Sequence, residues 1–312
     1  MRKFLRIISV ALILVIAADA AIGIYVYNAT VHAVNEERRP LACKEQLLEK
    51  RGFDVEDFQQ QYNMKEVILT STFDGHQIPT HYLTCEESKG TVVMAHGLNG
   101  NRLTAYPVAK MFLENGYDVL TYDQRASGES TAEYMTCGLW ESYDLQDCVE
   151  YIRQQKGGVI GAWGSSIGGA TVGFYLGSQH AQENLSFAVL DCPVSDMSQI
   201  VAGFLTRDKD WIPEILRLEM GSMVTELCLG YTYEEGNVCE YIADTEVPVL
   251  IFNTKKDGVT PYHMGVDLYE AIESDDKKLV SVEDSGHTDI YWDHPKMYEN
   301  ALMEFVENEN CN

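Results

Sequence analysis

A serine between two glycines is the first feature of this sequence that indicates chemistry. Residues 164–168 read Gly-Ser-Ser-Ile-Gly, which fits the pattern G-x-S-x-G with Ser166 at its centre. The short apolar run at 159–163 is typical of a buried strand, and a glycine-rich helical segment follows. A serine in such a strand-to-helix turn can attack a carbonyl, because the helix N-terminus places partial positive charge beside the developing oxyanion. We therefore predict that Ser166 is a nucleophile.

A serine hydroxyl is a weak nucleophile and needs a base that accepts its proton. Of the eight histidines, His287 lies between the last predicted strand and the last predicted helix, in Ser-Gly-His-Thr-Asp at 285–289. Ligands of open α/β sheets bind at the carboxyl ends of the strands, which is where this loop begins. His287 is therefore the predicted base. The alternative is an ordinary loop histidine.

The base needs a carboxylate that orients it, and two aspartates follow predicted strands. Asp257 comes soon after the predicted strand at 248–253, and Gly258 and Pro261 favour a turn that would present its carboxylate. Asp191 ends another predicted strand and is the competing candidate. We favour Asp257, which lies between the predicted serine and histidine in the chain, the order Ser…Asp…His.

Two backbone amides are expected to bind the oxyanion of the reaction. The first is the N–H of Ile167, the residue after the predicted nucleophile. The second comes from the loop His-Gly-Leu-Asn-Gly at 96–100, which follows the predicted strand at 91–95, and we assign it to the N–H of Leu98. A plain glycine turn is the alternative interpretation of this loop.

Several other kinds of site find no support in the sequence. It contains no H-E-x-x-H or clustered His/Cys/Asp pattern and no phosphate-binding glycine loop, so we predict no metal and no cofactor. Its eight cysteines form no C-x-x-C pair, and their possible disulfide pairing stays open. The formal charge of −25 repels polyanions, which argues against nucleic acid as a partner.

Predicted strands alternate with predicted helices from residue 66 to the C-terminus, after an antiparallel hairpin. This alternation indicates βαβ units, an α/β fold with a mostly parallel sheet covered by helices on both faces. The 312 residues suffice for one large domain with an insertion, or for two modest domains.

One interval, at about 192–247, interrupts the alternation with apolar residues in helical spacing and no convincing strand. A segment of this length is too long for a bare loop, so we predict an inserted helical cap that folds over the site. Trp211, Leu216 and Met220 are candidate substrate-binding residues in an apolar acyl pocket. Ordinary packing is the alternative for each of them.

The N-terminus differs from the rest of the chain. Arg2, Lys3 and Arg6 precede an apolar segment at 7–27, which is long enough to span a membrane. We predict an anchor over 1–30, a linker with short helices over 31–65, and a catalytic domain over 66–312. The basic flank indicates a cytoplasmic N-terminus, so the domain would lie outside the cytoplasm. A cleaved signal peptide, with secretion, and a buried core helix are the alternatives.

Five motifs occur in the order and spacing of the α/β-hydrolase superfamily. They are HGLNG at 96–100, YDQRASGES at 122–130, GSSIG at 164–168, the loop of Asp257, and SGH at 285–287. From about residue 66 the chain most resembles the membrane-anchored bacterial branch related to serine aminopeptidases and BEM46-like hydrolases. The resemblance implies that the 122–130 segment is structural, so Asp123 and Arg125 are not counted as catalytic. Ala126 stands where these proteins usually have glycine.

The sequence therefore predicts a serine hydrolase that cleaves an ester, thioester or amide of a small acyl substrate through an acyl-enzyme. Fold alone does not decide among these bonds. An acyltransferase with the same triad is the nearest alternative. A catalytically silent membrane-tethered binding module or scaffold is the alternative from another class, although the predicted serine and histidine are both present.

Overall fold

The computed structural model describes residues 2–32, 40–205 and 212–309. The chain forms two compact units: residues 37–195 with 238–312 make the larger one, and residues 1–36 with 196–237 make the smaller one. Trp211, one of the predicted substrate contacts, lies outside the described residues.

An eight-stranded sheet is the centre of the larger unit. Its strand order is β1-β2-β4-β3-β5-β6-β7-β8; the pairs β1–β2 and β2–β4 are antiparallel and the other pairs are parallel. The predicted α/β fold with a mostly parallel sheet is confirmed. The strands are β1 Lys65–Thr70, β2 Gln77–Leu83, β3 Gly90–Ala95, β4 Tyr117–Tyr122, β5 Val159–Ser165, β6 Phe187–Asp191, β7 Val249–Thr254 and β8 Lys277–Val282.

Burial explains why the sequence forms these strands. Each residue of β3, β4, β6 and β7 is buried, and these strands are short, nearly continuous apolar runs, as expected for parallel strands covered on both faces. The edge strand β1 instead alternates between exposed and half-buried residues. The parallel strands direct their carboxyl ends to one edge of the sheet, where the loops that carry the predicted site begin.

The larger unit has two helices before β1, and its other helices lie between or after the strands in the chain. They are α2 Leu41–Lys50, α3 Val55–Gln61, α4 Tyr106–Glu114, α5 Glu141–Gln155, α6 Ile167–Leu176, α7 Gln179–Asn184, α10 Val238–Ile242, α11 His263–Ala271, α12 Ile290–Asp293 and α13 Pro295–Glu309. Helix α6 is buried along its whole length, because it lies behind the strand that leads to Ser166.

Two helices fall in the segment that the sequence suggested was a linker. Helix α2 buries Leu48, and helix α3 buries Val55 and Phe58 in the same hydrophobic cluster as strands of the sheet. The ring of Phe58 lies 4.7 Å from that of Tyr106 in α4, measured between centroids. Both short helices therefore belong to the larger unit and contribute to its hydrophobic core.

The segment at 122–130 supports its neighbours through a buried carboxylate, as its predicted structural role requires. Asp123 accepts hydrogen bonds from the backbone amides of Arg102 (2.7 Å) and Glu129 (2.8 Å), and it also pairs with the Arg102 guanidinium. Gly128 has φ +52°, and a Cβ there would collide with the Asp123 carboxylate. Ala126 also adopts a positive φ of 52°.

The smaller unit contains the N-terminal helix and most of the predicted cap. Its helices are α1 Arg2–Tyr27, α8 Met197–Leu205 and α9 Glu214–Leu229, with a π-helical turn at Asn28–His32 and a 3₁₀ turn at Glu234–Gly236. The interval predicted to be helical has no strand among its described residues, only an isolated bridge between Asp196 and Asn237.

Glycines allow α1 and α9 to pack closely within this unit. A Cβ on Gly23 would collide with the Met220 carbonyl, and one on Gly221 would collide with the Val26 side chain. Close backbone approach at small residues is the usual way in which membrane helices associate. The last turns of α1 are therefore a packing surface for the cap helix.

The first two-thirds of α1 have a different environment. Every residue from Lys3 to Ala18 is exposed, and most are large and apolar. The core-helix interpretation of this segment is therefore wrong. By length and composition α1 is the one described helix that could cross a membrane, and a signal sequence would share these features.

The packing of α3 predicts a large effect of truncating Phe58, which is 3% exposed. Phe58→Ala should lower the free energy of unfolding by about 3–5 kcal/mol, because the ring leaves a cavity among buried aromatic residues. Urea unfolding of the full chain in detergent, followed by tryptophan fluorescence, measures this loss. The control is Gln60→Ala at an exposed position of the same helix. Equal stability of the two variants would contradict the assignment of α3 to the core.

Candidate active site

Ser166 lies in a strained turn between β5 and α6. Its backbone has φ 57° and ψ −121°, a conformation that residues with a side chain rarely adopt. Glycines permit the turn: a Cβ on Gly164 would collide with the Gly168 carbonyl, and one on Gly168 would collide with the Ala95 carbonyl at the end of β3. The two glycines of the G-x-S-x-G pattern are therefore needed because β3, β5 and α6 pass in close contact here.

Neighbouring segments hold the backbone of this turn on both sides. The Ser166 amide donates to the Asp191 carbonyl at the end of β6 (2.9 Å), and the Ser166 carbonyl accepts from the amide of Val194 (3.3 Å). Ser166 is 5% exposed. The serine is therefore fixed between the loops after β3 and β6, with little surface open to water.

Asp257 and His287 come together on the loops after β7 and β8. The Nδ1 of His287 lies 2.7 Å from Oδ2 of Asp257, and the Asp257 side chain is fully buried while that of His287 is 18% exposed. Asp257 also accepts from the amides of Val259 and Thr260, both at 2.8 Å, and from the Thr260 hydroxyl at 2.8 Å. The turn foreseen from Gly258 and Pro261 thus supplies these donors.

The electrostatic environment keeps Asp257 ionised. Burial opposes its ionisation, but the hydrogen bond and the charge of His287 outweigh burial, and the pKa of the carboxyl is lowered. An ionised carboxylate at Nδ1 requires a proton on that nitrogen, which leaves Nε2 of His287 as the proton acceptor. This arrangement matches a base oriented by an acid.

Asp191, the competing aspartate, has different partners. Its Oδ2 accepts from the Tyr298 hydroxyl at 3.0 Å, and the same hydroxyl accepts from Nε1 of Trp163 at 3.0 Å. Complete burial raises the pKa of Asp191 to about 6, despite the hydrogen bond from Tyr298 that opposes the rise. Asp191 therefore belongs to a buried network beneath the site and makes no hydrogen bond to His287 among the described residues.

No hydrogen bond joins the serine and the histidine. Within the described parts of the chain, Ser166 Oγ and His287 Nε2 make no hydrogen bond to each other. Catalytic hydrogen bonds are often long without substrate and tighten only when it binds, so this geometry is compatible with proton transfer.

Chain segments that carry the two predicted oxyanion donors adjoin Ser166, and the role of the donors stays a prediction. Ile167 is the first residue of α6, so its amide has no partner inside the helix. Gly97, which precedes Leu98, packs so closely that a Cβ on it would lie 3.1 Å from Cβ of Ser166. Neither the Ile167 nor the Leu98 amide donates to another described residue.

A buried network that the motifs did not reveal positions the loop at 96–100. The Gln124 amide donates to Nε2 of His96 at 3.1 Å, the Gln124 side chain donates to the His96 carbonyl, and it accepts from the Thr171 hydroxyl at 2.8 Å. Burial lowers the pKa of His96 to about 4, so its ring is neutral at physiological pH. The only sequence signal for Gln124 is its place in the motif at 122–130, which does not indicate this hydrogen-bonding role.

One group of three possible metal donors lies at the site. Ligand atoms of Cys192, Asp257 and His287 are within 4.8 Å of one another, and no other such group occurs among the described residues. Burial raises the pKa of the Cys192 thiol well above its ordinary value, and a neutral thiol is a poor ligand. Asp257 and His287 already bind each other, so these residues fit a triad better than a metal site.

The predicted substrate contacts Leu216 and Met220 lie on α9 of the smaller unit, and both are half-buried. The Met220 carbonyl faces Gly23 of α1. Their role in substrate binding stays a prediction.

Comparison with known proteins agrees with this fold. The family described as alpha/beta hydrolase fold matches residues 90–217, and the family described as TAP-like protein matches residues 219–311. The uncharacterized protein YqkD of Bacillus subtilis is 27% identical over 261 residues, which cover 83% of this chain and 84% of that protein. The thiohydrolase aneE of Aspergillus aculeatus is 31% identical over 129 residues, 39% of this chain and 40% of that protein.

Solved structures show the same fold. The esterase Pf2001 of Pyrococcus furiosus superposes with a TM-score of 0.65 at 21% identity, covering 81% of this chain and 94% of that one. Together with the family matches and the mostly parallel sheet, this shows that the chain belongs to the α/β-hydrolase superfamily and is an enzyme of the hydrolase type.

Proposed function

We propose that the protein is a serine hydrolase with Ser166 as nucleophile, His287 as base and Asp257 as the orienting acid. The observation that carries the proposal is the 2.7 Å contact between His287 and the buried carboxylate of Asp257, at the sheet edge where Ser166 occupies its strained turn. A structural aspartate–histidine pair would not need a serine with this backbone conformation at the same edge.

Each group has a defined task in the proposed reaction. His287 Nε2 takes the proton of Ser166 Oγ while that oxygen attacks the substrate carbonyl, and the Ile167 and Leu98 amides stabilise the oxyanion. The protonated histidine then gives its proton to the leaving group, which leaves an acyl-enzyme. Water, activated by the same histidine, attacks the acyl carbonyl and releases the acid. Asp257 stabilises the imidazolium in both halves of the reaction.

The names of two similar proteins suggest which bond the enzyme cleaves. One relative is called a thiohydrolase and a structural neighbour is called an esterase. We propose esters and thioesters of small acyl groups as the first substrates to examine, with amides as a further class. If another nucleophile replaced water at the acyl-enzyme, the same residues would perform acyl transfer.

We also propose that α1 anchors the enzyme to a membrane and stays attached. The supporting observations are the exposed apolar side chains from Phe4 to Ile16 and the basic residues before them. Exposed apolar surface of this extent is costly in water and favourable in a bilayer. The basic N-terminal flank favours a catalytic unit outside the cytoplasm.

The first prediction concerns the nucleophile. Ser166→Ala should lower kcat on a p-nitrophenyl ester by on the order of 10⁶, because the acyl-enzyme cannot form. It should also abolish labelling by a fluorophosphonate probe. Ser165→Ala, a change at the neighbouring buried position, should keep the label. Undiminished labelling of the Ser166 variant would rule out the assignment.

The second prediction separates the two aspartates. Asp257→Asn should cost on the order of 10⁴ in kcat, because the amide would favour the wrong tautomer of His287. The matched control is Asp191→Asn, which keeps an acceptor for the Tyr298 hydroxyl and should stay within about tenfold of wild type. Steady-state kinetics on one ester measures both. A mild Asp257 variant beside a crippled Asp191 variant would show that the acid is misassigned.

The third prediction concerns the N-terminus. The mature protein should remain in the membrane pellet after carbonate extraction and should retain residues 1–20, because the apolar part of α1 lies in the bilayer. N-terminal sequencing of the purified protein tests retention, and protease accessibility in spheroplasts tests the side of the membrane. A mature chain that begins at Ala21 would refute the anchor in favour of secretion.

A further inference from the structure

Thr260 lies in the turn that presents Asp257, and its hydroxyl contacts the acid–base pair, by which we mean Asp257 and His287. Thr260 is 1% exposed. Its Oγ1 lies 2.8 Å from Oδ2 of Asp257 and 3.2 Å from Nδ1 of His287. The same oxygen lies 3.2 Å from the carbonyl oxygen of Cys192, in the loop after β6. One buried hydroxyl thus joins the loops after β6, β7 and β8.

The Thr260 hydroxyl completes the hydrogen bonding of the Asp257 carboxylate. Oδ1 of Asp257 accepts from the backbone amides of Val259 and Thr260, both at 2.8 Å. Oδ2 accepts from Nδ1 of His287 at 2.7 Å and from the Thr260 hydroxyl at 2.8 Å. A carboxylate offers about four acceptor sites, so the two oxygens are fully used. Any rotation of the carboxylate would break hydrogen bonds on both oxygens.

The hydroxyl can serve three neighbours because it both donates and accepts. Thr260 has one O–H proton, and the charged Oδ2 of Asp257 is nearer to it than the Cys192 carbonyl, which is a second and longer acceptor. A lone pair of the same oxygen can accept from the Nδ1–H of His287. That N–H is therefore shared between Asp257 at 2.7 Å and Thr260 at 3.2 Å.

The contact with Cys192 connects the acid–base pair to the segment that holds the serine. The Asp191 carbonyl accepts from the Ser166 amide at 2.9 Å, and the next carbonyl along the chain, that of Cys192, faces the Thr260 hydroxyl. The Cys192 amide donates to the Phe252 carbonyl of β7 at 2.9 Å, which ties this loop to the sheet. Two consecutive carbonyls of one loop therefore bind the serine backbone and Thr260.

Thr260 also helps to keep Asp257 ionised. Burial acts to raise the pKa of this carboxyl, but hydrogen bonds and charge lower it overall, with His287 first and the Val259 amide and the Thr260 hydroxyl after it. A methyl group in place of the hydroxyl would leave one acceptor site of a buried, charged oxygen without a donor. Such a loss is costly, because bulk water does not reach the buried carboxylate to replace the donor.

We propose that Thr260 is a positioning residue of the site, whose hydroxyl locks the Asp257 carboxylate and sets the imidazole of His287 relative to the loop that holds Ser166. This inference rests on the proposed serine mechanism, in which His287 has to take the proton of Ser166. Thr260 touches neither the substrate nor the reacting atoms and acts only through the acid–base pair.

The test measures how fast Ser166 reacts with a fluorophosphonate in the full-length enzyme in detergent. In this reaction Ser166 Oγ binds phosphorus, fluoride leaves, and His287 takes the serine proton, so the rate depends on the alignment of the acid–base pair. The second-order rate constant is followed by mass spectrometry of the peptide that carries Ser166. Only adducts on this serine are counted, and slow variants remain measurable because the adduct accumulates.

Thr260→Val, which replaces the hydroxyl by a methyl group of similar size, should slow labelling about ten- to hundredfold, as expected for one lost hydrogen bond to a charged group. Thr260→Ser keeps the hydroxyl and should stay close to the wild-type rate. The matched control is Thr121→Val in β4, where the threonine is buried and its hydroxyl has no hydrogen-bond partner among the described residues. Labelling of this control should be unchanged.

A double-mutant cycle separates positioning from packing. In the Asp257→Asn background the carboxylate that Thr260 orients is absent, so adding Thr260→Val should slow labelling by only a small part of the factor seen in the wild type. A loss of packing alone would slow both backgrounds equally. Thermal unfolding by circular dichroism checks that each variant folds. If Thr260→Val does not fold, Thr260→Ala replaces it, and comparison with Thr260→Ser still isolates the hydroxyl.

The outcomes distinguish this inference from the proposed function. Equal labelling of Thr260→Val and the wild type would overturn the positioning role and leave Ser166 as the nucleophile. A Thr260→Ser variant as slow as Thr260→Val would overturn it too, as would a cost that is undiminished in the Asp257→Asn background. A wild-type enzyme whose Ser166 is not labelled at all would instead overturn the serine mechanism itself.

Discussion

The backbone conformation of Ser166 is the constraint on which the rest of the site depends. A residue with φ 57° and ψ −121° costs on the order of 1–3 kcal/mol relative to an allowed conformation, and it persists only when the surrounding structure holds it. Here the hydrogen bonds to Asp191 and Val194 hold it, and glycines at 164 and 168 let β3, β5 and α6 pass within contact. The turn therefore depends on the loops after β3 and β6, which pack against Ser166 and bind its backbone.

Asp257 and Asp191 are two buried aspartates whose different surroundings give them different roles. Asp257 receives three donors besides His287 and is held ionised, whereas Asp191 receives one hydroxyl and has a raised pKa of about 6. Such a difference in solvation assigns different tasks to chemically equal groups. The ionised Asp257 can stabilise an imidazolium. Asp191 instead accepts a hydrogen bond from Tyr298, which in turn accepts one from Trp163.

Local sequence patterns predict the strands and the loops of the candidate site. They do not predict contacts between segments that are far apart in the chain. Apolar runs bounded by glycine predicted the strands to within two residues, and loops at strand ends indicated Ser166, Asp257 and His287. The charged segment at 31–65 predicts a linker with short helices, and its composition does not indicate that α2 packs in the core through Leu48. The ion pair between Arg51, directly after α2, and Asp289 joins positions more than two hundred residues apart, and the packing of Gly23 on α9 joins positions about two hundred apart. No local signal encodes either contact.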